Sequence, residues 1–275
     1  MAGVRAILQK YDIRPRKRLG QHFLVRDGYL GAITRASGVT RDDVVLEIGA
    51  GVGNLTKFLA ARAGKVIAIE FDRDMLRVLR GELDVENVEI MEADALKVDY
   101  NSLNPDKPMV AVANLPYNIA TEIVFRLIDS RERFSRLMLM TQLEVARRFA
   151  AKVGTKEYGI PAAISGMWTE VKIDMKVPAS AFYPRPAVDS AVLRFDIRDV
   201  PAARANSDEL YSKVVHAAFS HRRKMLLNSL ASSPILGLEK AAVEKWLDSA
   251  GIDPRIRAQN LKVEDFACLE RHFPL

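Results

Sequence analysis

Val44-Val45-Leu46-Glu47-Ile48-Gly49-Ala50-Gly51-Val52-Gly53-Asn54 decides how this chain is read. A β-branched apolar run of strand length, Val44–Ile48, passes into three closely spaced glycines and then into a helical pattern, Asn54–Ala61, with Asn54 as its N-cap. A strand, a glycine turn and a helix in that order form the phosphate- or nucleoside-binding unit of α/β proteins. Glycine lets the backbone turn sharply and approach a ligand closely. The dinucleotide fingerprint G-x-G-x-x-G requires glycine at position 54, which is asparagine here. The spacing is G-x-G-x-G instead.

Two carboxylates further along refine the ligand. Glu70 ends the next apolar run, Lys65–Glu70, and suits two ribose hydroxyls as an acceptor. Asp94, in Glu92-Ala93-Asp94-Ala95, follows the third run and suits an adenine amino group. Ribose and adenine without a strict pyrophosphate loop favour S-adenosyl-L-methionine over NAD. Gly49, Gly51, Glu70 and Asp94 are therefore candidate cofactor residues. A dehydrogenase is the rival on this point. Asn54 and the lack of an obvious hydride-transfer acid or base speak against it.

The pattern continues outward. Strands are expected at Val88–Met91, Met109–Ala113, Leu137–Thr141, Val171–Val177 and Ser190–Ile197, with helices at Asp74–Arg80 and Thr121–Ile128. Apolar runs without alternation indicate strands buried on both faces, hence a parallel sheet with right-handed helical crossovers. The expected fold is α/β and Rossmann-like, a seven-stranded, mainly parallel sheet with helices on both faces. Near Val200 the texture changes to a Pro/Ala/Asn/Ser stretch. Beyond it lie helical patterns at Asp208–Phe219, Arg222–Ala231, Glu239–Ala250 and Val263–His272. Residues 1–200 are read as the cofactor-binding domain and 201–275 as a small all-α domain.

Asn114-Leu115-Pro116-Tyr117 follows the fourth strand at its carboxyl end, where ligands of such sheets bind. Methylating an exocyclic amine explains these four residues. The adenine amino lone pair is delocalised into the ring. The Asn114 side-chain oxygen and the Leu115 carbonyl can accept its N–H bonds, orienting the lone pair as a methyl arrives. Pro116 fixes the backbone that aims the carbonyl. Tyr117 offers a face for stacking the base.

Composition excludes other classes. The chain has 275 residues, 49% hydrophobic and 28% charged, enough apolar content for a core. The one cysteine, Cys268, excludes an internal disulfide framework and a cysteine-clustered metal site. His216 and His221 are five apart, which misses helical zinc spacing, so no metal is expected. No run reaches the ~20 apolar residues of a membrane span, and no secretory signal is seen. A cytoplasmic location is expected. The net charge is +6, and residues 1–20 hold Arg5, Lys10, Arg14, Arg16, Lys17 and Arg18 against Asp12 alone. A second cluster is Arg222-Arg223-Lys224. Both suit a phosphate-rich partner.

With these residues in view, the chain closely resembles the ribosomal RNA adenine N6,N6-dimethyltransferases, over nearly its whole length. Lys17-Arg18-Leu19-Gly20-Gln21-His22-Phe23-Leu24 resembles the family's cofactor-entry motif, with His22 where many relatives carry Asn. The glycine loop, Glu70, Asp94 and Asn114–Tyr117 follow in the family's order. Phe182-Tyr183-Pro184-Arg185-Pro186-Ala187-Val188-Asp189-Ser190 resembles its F-x-P-x-P-x-V-x-S segment, and Phe219–Lys224 its first basic C-terminal helix.

The resemblance implies methyl transfer from S-adenosyl-L-methionine to N6 of two adjacent adenines in the 3′-terminal hairpin of small-subunit rRNA, with a role in subunit biogenesis. It implies cofactor contacts from His22, Leu24, Gly49, Glu70, Asp94 and Asn114, and stacking of Phe182 on the base face opposite Tyr117. The 154–159 loop would lie near the RNA side. Arg16, Lys17, Arg18, Arg185, Arg222, Arg223 and Lys224 are candidate phosphate contacts. The partner implied is rRNA within an assembling 30S-type particle, the enzyme acting as a monomer. Two alternatives stay open: a large-subunit rRNA adenine N6-methyltransferase of the macrolide-resistance type, and a non-catalytic RNA-binding assembly factor.

Overall fold

The computed structural model describes residues 3–16, 19–104 and 106–274. Helix α1 (Val4–Lys10), the two-residue strand β1 (Phe23–Leu24) and α2 (Asp27–Ala36) precede the sheet. Then come β2 (Val44–Ile48), α3 (Asn54–Ala60), β3 (Lys65–Glu70), α4 (Arg73–Glu82), β4 (Val88–Glu92), β5 (Met109–Asn114), α5 (Ala120–Asp129) and β6 (Phe134–Gln142). After α6 (Leu143–Phe149) and α7 (Ile160–Trp168) the chain returns as β7 (Thr169–Val177), β8 (Phe182–Tyr183) and β9 (Ser190–Ile197). The last helices are α8 (Asp208–Ala218), α9 (Leu226–Ala231), α10 (Lys240–Ser249) and α11 (Val263–Arg271). No helix among the described residues is long and apolar enough to cross a membrane.

The large sheet has seven strands in the order β4-β3-β2-β5-β6-β9-β7. Pairs from β4 through β6 are parallel, and β9 runs antiparallel to β6. Every residue of β2 is buried, as its unbroken apolar run requires. Strand β7 departs from that rule. It alternates, exposing Glu170, Lys172, Asp174 and Lys176, because it is an edge strand, and mixed charge there discourages pairing with another chain. Chain order reverses at β2, which takes β3 on one side and β5 on the other. That switch point opens a crevice at the carboxyl ends.

The expected Asn54 cap is not formed. Gly53, at φ +81°, holds the N-cap position of α3, and the Asn54 amide instead donates to the Leu24 carbonyl at 2.9 Å. This bond ties the start of α3 to β1.

The chain divides into two compact units: residues 1–146 with 171–197, and 147–170 with 198–275. The chain passes between the units three times, at 146/147, 170/171 and 197/198, where the sequence led to a single boundary at 200. Residues 147–170 pack with the C-terminal helices through hydrogen bonds the sequence does not announce. The hydroxyl of Tyr211 donates to the Ala163 carbonyl at 2.9 Å, and that of Tyr158 to the Leu261 carbonyl at 3.0 Å. Ser207 caps α8 by accepting from the Leu210 N–H at 3.2 Å. Buried Glu270 accepts from the Asn206 and Ser207 N–H groups, both at 2.9 Å.

Candidate active site

The loops leaving β2, β3, β4 and β5 meet segment 19–23 around an open cleft of about 140 Å³. Gly49 and Gly51 line it at φ +72° and +58°. A side chain at Gly51 would place its Cβ 2.9 Å from the Phe23 ring, so both conformation and space require glycine there.

Glu70 lines the cleft and is also the clamp of the glycine loop. Its Oε2 accepts from the Gly51 N–H, and Oε1 from those of Phe71 and Asp72, each at 2.8 Å. Burial pushes its carboxyl upward, opposed by these three backbone donors. A carboxylate offers about four lone-pair sites, so part of its accepting capacity remains for a ribose hydroxyl. Asp94 lines the cleft with one oxygen accepting from the Leu96 N–H at 3.0 Å.

Asn114 ends β5 at the switch point. Its Nδ2 donates to the His22 carbonyl at 2.9 Å, while Oδ1 is buried with no partner. A buried acceptor left unpaired is costly and calls for a donor. The Leu115 N–H donates to the Met140 carbonyl at 3.0 Å and the Ile119 N–H to that of Pro116 at 3.2 Å, so the turn after Asn114 is fixed at both ends. Asn114, Leu115 and Pro116 line the cleft. Tyr117 is held beside it. Its hydroxyl is 2.5 Å from Ser190 Oγ, and its ring stacks on that of His22 at 5.4 Å between centroids. Burial pushes its phenol upward, with the Ser190 bond opposing.

Several expected site residues sit elsewhere. Leu24 is a buried core residue that does not line this cleft but a small void beside Gly49 and Asn114, and its backbone pairs with Phe182. Phe182 is 4% exposed, within the apolar cluster of Leu24, Leu30 and Val177, so its ring is packing material here and not an open stacking face. Arg16 is exposed but already paired. It pairs with Asp72 at 3.3 Å and with Asp74. Lys17 and Arg18 lie outside the described residues. Arg222, Arg223 and Lys224 form an exposed turn before α9, not part of a helix. Arg222 donates to the carbonyls of Lys156 and Tyr158, at 2.6 and 2.9 Å. Arg185 is exposed.

Gln21 and Asp72 were missed by sequence reasoning. Gln21 donates to Asp72 at 2.8 Å and accepts from the Arg16 N–H at 2.8 Å, so Gln21 and Arg16 are latched to the start of α4. Asp72 also caps α4 through the Asp74 N–H at 2.9 Å. An aspartate directly before a helical pattern was the available signal.

A family model described as ribosomal RNA adenine dimethylase matches residues 13–273. The ribosomal RNA small subunit methyltransferase A of Moorella thermoacetica is 42% identical, over 97% of this chain and 95% of its own. The protein of the same name from Alkaliphilus metalliredigens is 40% identical, over 97% and 94%. Among solved structures, a dimethyladenosine transferase from Plasmodium falciparum superposes with a TM-score of 0.71 at 28% identity, covering 90% of this chain and 95% of that one. The 23S rRNA methyltransferase ErmE gives 0.66 at 28%, covering 91% and 98%.

Proposed function

The chain belongs to the ribosomal RNA adenine dimethylase family, and from that premise we propose that it dimethylates N6 of two adjacent adenines in the 3′-terminal hairpin of small-subunit rRNA. S-adenosyl-L-methionine is the proposed methyl donor, and the proposed substrate is rRNA in a partly assembled small subunit, met by a cytoplasmic monomer. The observation that carries the reading is Asn114. Its amide is oriented by the His22 carbonyl so that one buried oxygen at the switch point has no partner. An exocyclic N–H is the donor such an atom requires.

The cleft fits the donor. Gly49 and Gly51 permit close approach of backbone, Glu70 keeps accepting capacity beside the loop, and Asp94 presents a carboxylate beyond β4. When bound, the sulfonium supplies an electrophilic methyl group. The rest is the work of this chain. Asn114 Oδ1 and the Leu115 carbonyl accept the amine's N–H bonds and turn its lone pair toward the methyl. Pro116 keeps that carbonyl in place. Tyr117 presents its ring to the extruded base, an extrusion that costs least in a hairpin loop. No strong base is required before transfer, since the proton becomes acidic once nitrogen carries the methyl.

Identity of 40–42% to small-subunit enzymes over nearly the full length, against 28% to the 23S enzyme, supports the small-subunit substrate. The test is transfer from labelled S-adenosyl-L-methionine to small subunits lacking adenine dimethylation, with large-subunit RNA as control. Dimethyladenine should appear in the small-subunit RNA, and Asn114→Ala should slow it by about 10²-fold or more. Particle binding without transfer would replace this reading by an assembly factor. Transfer only to large-subunit RNA would replace it by the resistance-type enzyme.

A further inference from the structure

His22 joins three parts of unit one that carry the site. Its main-chain carbonyl holds Asn114 Nδ2 at 2.9 Å. Its Nδ1 lies 2.8 Å from the Pro184 carbonyl, which fixes that nitrogen as the N–H donor and pins the ring. The pinned ring lies against that of Tyr117, centroids 5.4 Å apart and planes 25° from parallel. Tyr117 is fixed at its other end by Ser190, itself fully buried. The backbones are as close as the side chains: a Cβ on Gly20 would sit 3.2 Å from the Tyr117 nitrogen.

A flat ring has two faces for stacking, and one face of Tyr117 is already taken. We propose that His22 is a positioning residue for the target base: by covering one face of Tyr117 it leaves adenine only the other, while its carbonyl sets the acceptor that meets N6. This rests on the adenine-methylating reading above. The two jobs sit on one residue, so the stacking plane and the hydrogen-bond acceptor move together. A cofactor contact alone would not require a stacked ring pair with Tyr117.

The test separates the ring from its hydrogen bond. His22→Phe keeps a stacking ring and loses the Pro184 bond. His22→Asn keeps a short N–H donor and loses the ring. His22→Ala loses both, and every variant keeps the carbonyl that holds Asn114. Three readouts are taken on the full chain. They are the Tyr117 ring resonances in ¹³C-tyrosine-labelled protein, assigned by Tyr117→Phe; the calorimetric Kd for S-adenosyl-L-methionine; and single-turnover methyl transfer to undimethylated small subunits.

The ring-current shift of Tyr117 should vanish in His22→Ala and His22→Asn and persist in His22→Phe. Transfer should fall about three- to tenfold in the first two, the fold-change of an aromatic pair. His22→Phe should recover it, and cofactor Kd should not track the rate across the three variants. Rescue by Asn and not Phe would overturn the proposal in favour of the Pro184 bond. A Kd that moves in step with the rate would overturn it in favour of a cofactor contact. Unmoved Tyr117 resonances in His22→Ala would overturn the stack itself. If the wild type methylates nothing while the resonances respond as stated, the functional reading has failed and the stacked pair stands.

Discussion

Glu47 lies in β2 behind the glycine loop, 2% exposed, with Oε2 unpartnered. Burial pushes its carboxyl from 4.5 to about 8. Below pH 4.5 folded and unfolded chains both hold the proton. Between 4.5 and about 8 only the folded chain holds it, so unfolding releases a proton and stability falls as pH rises through that window. Above it both states are ionised and the loss is complete. Glu47→Gln should therefore raise Tm by roughly 5 °C at pH 8.5 and leave it nearly unchanged at pH 4.5. Parallel Tm–pH curves for the two proteins would show that Glu47 is not the titrating group. At this scale the sequence spoke plainly for residues whose role follows from backbone shape or chemistry, such as Gly51 and Asn114. It misled for Arg16 and Phe182, because formal charge and aromaticity do not announce a partner. Asp72 and Asp74 neutralise one, and the apolar cluster around Leu24 absorbs the other.

The loop between β2 and α3 is the element on which the cleft depends. Gly51 and Gly53 both have positive φ, and a Cβ on either would strike a neighbour, Phe23 in one case and Leu83 in the other. Gly154, at φ +82°, faces open space. Gly51→Ala should therefore lose about 2–3 kcal/mol, from strain and displacement of Phe23, and weaken cofactor binding. Gly154→Ala should lose only about 1 kcal/mol. Denaturant unfolding and calorimetry check both, and equal losses would mean that Phe23 moves freely. Strands such as β2 and β5 were legible because continuous apolar runs of that length bury both faces. The basic helix expected from Arg222 was not, because the chain turns through 221–224 and α9 begins only at Leu226.

Over the whole molecule the surplus positive charge has two fates. Some cations are held within the protein: Lys10 by Glu82, Arg16 by Asp72 and Asp74, Arg222 by the carbonyls of Lys156 and Tyr158. Arg223 and Lys224 stand exposed on a turn of the helical unit. Replacing Arg223 or Lys224 by alanine should flatten the slope of log K against log salt for RNA by about 0.7–0.9 each and leave Tm unchanged. Arg222→Ala should lower Tm by roughly 2–4 °C, the effect of about 1 kcal/mol. Equal effects on salt slope from all three would show that Arg222 leaves its carbonyls to bind phosphate. The division into units was not legible because residues 147–170 carry no linker composition; hydrogen bonds such as those of Tyr158, Tyr211 and Arg222 to backbone carbonyls show where the segment belongs. The early placement of residues 147–170 in the second unit sets a timetable. A chain emerging amino end first delivers α7, with Ala162, Ala163, Ile164 and Met167 meant for burial, before any residue of 198–275 exists to cover them. Strand β7 likewise waits for β9, its neighbour in the sheet, which is made later. Synthesis thus passes through an interval in which the first unit is complete while the second holds only its 147–170 segment, and chaperone demand should peak in that interval.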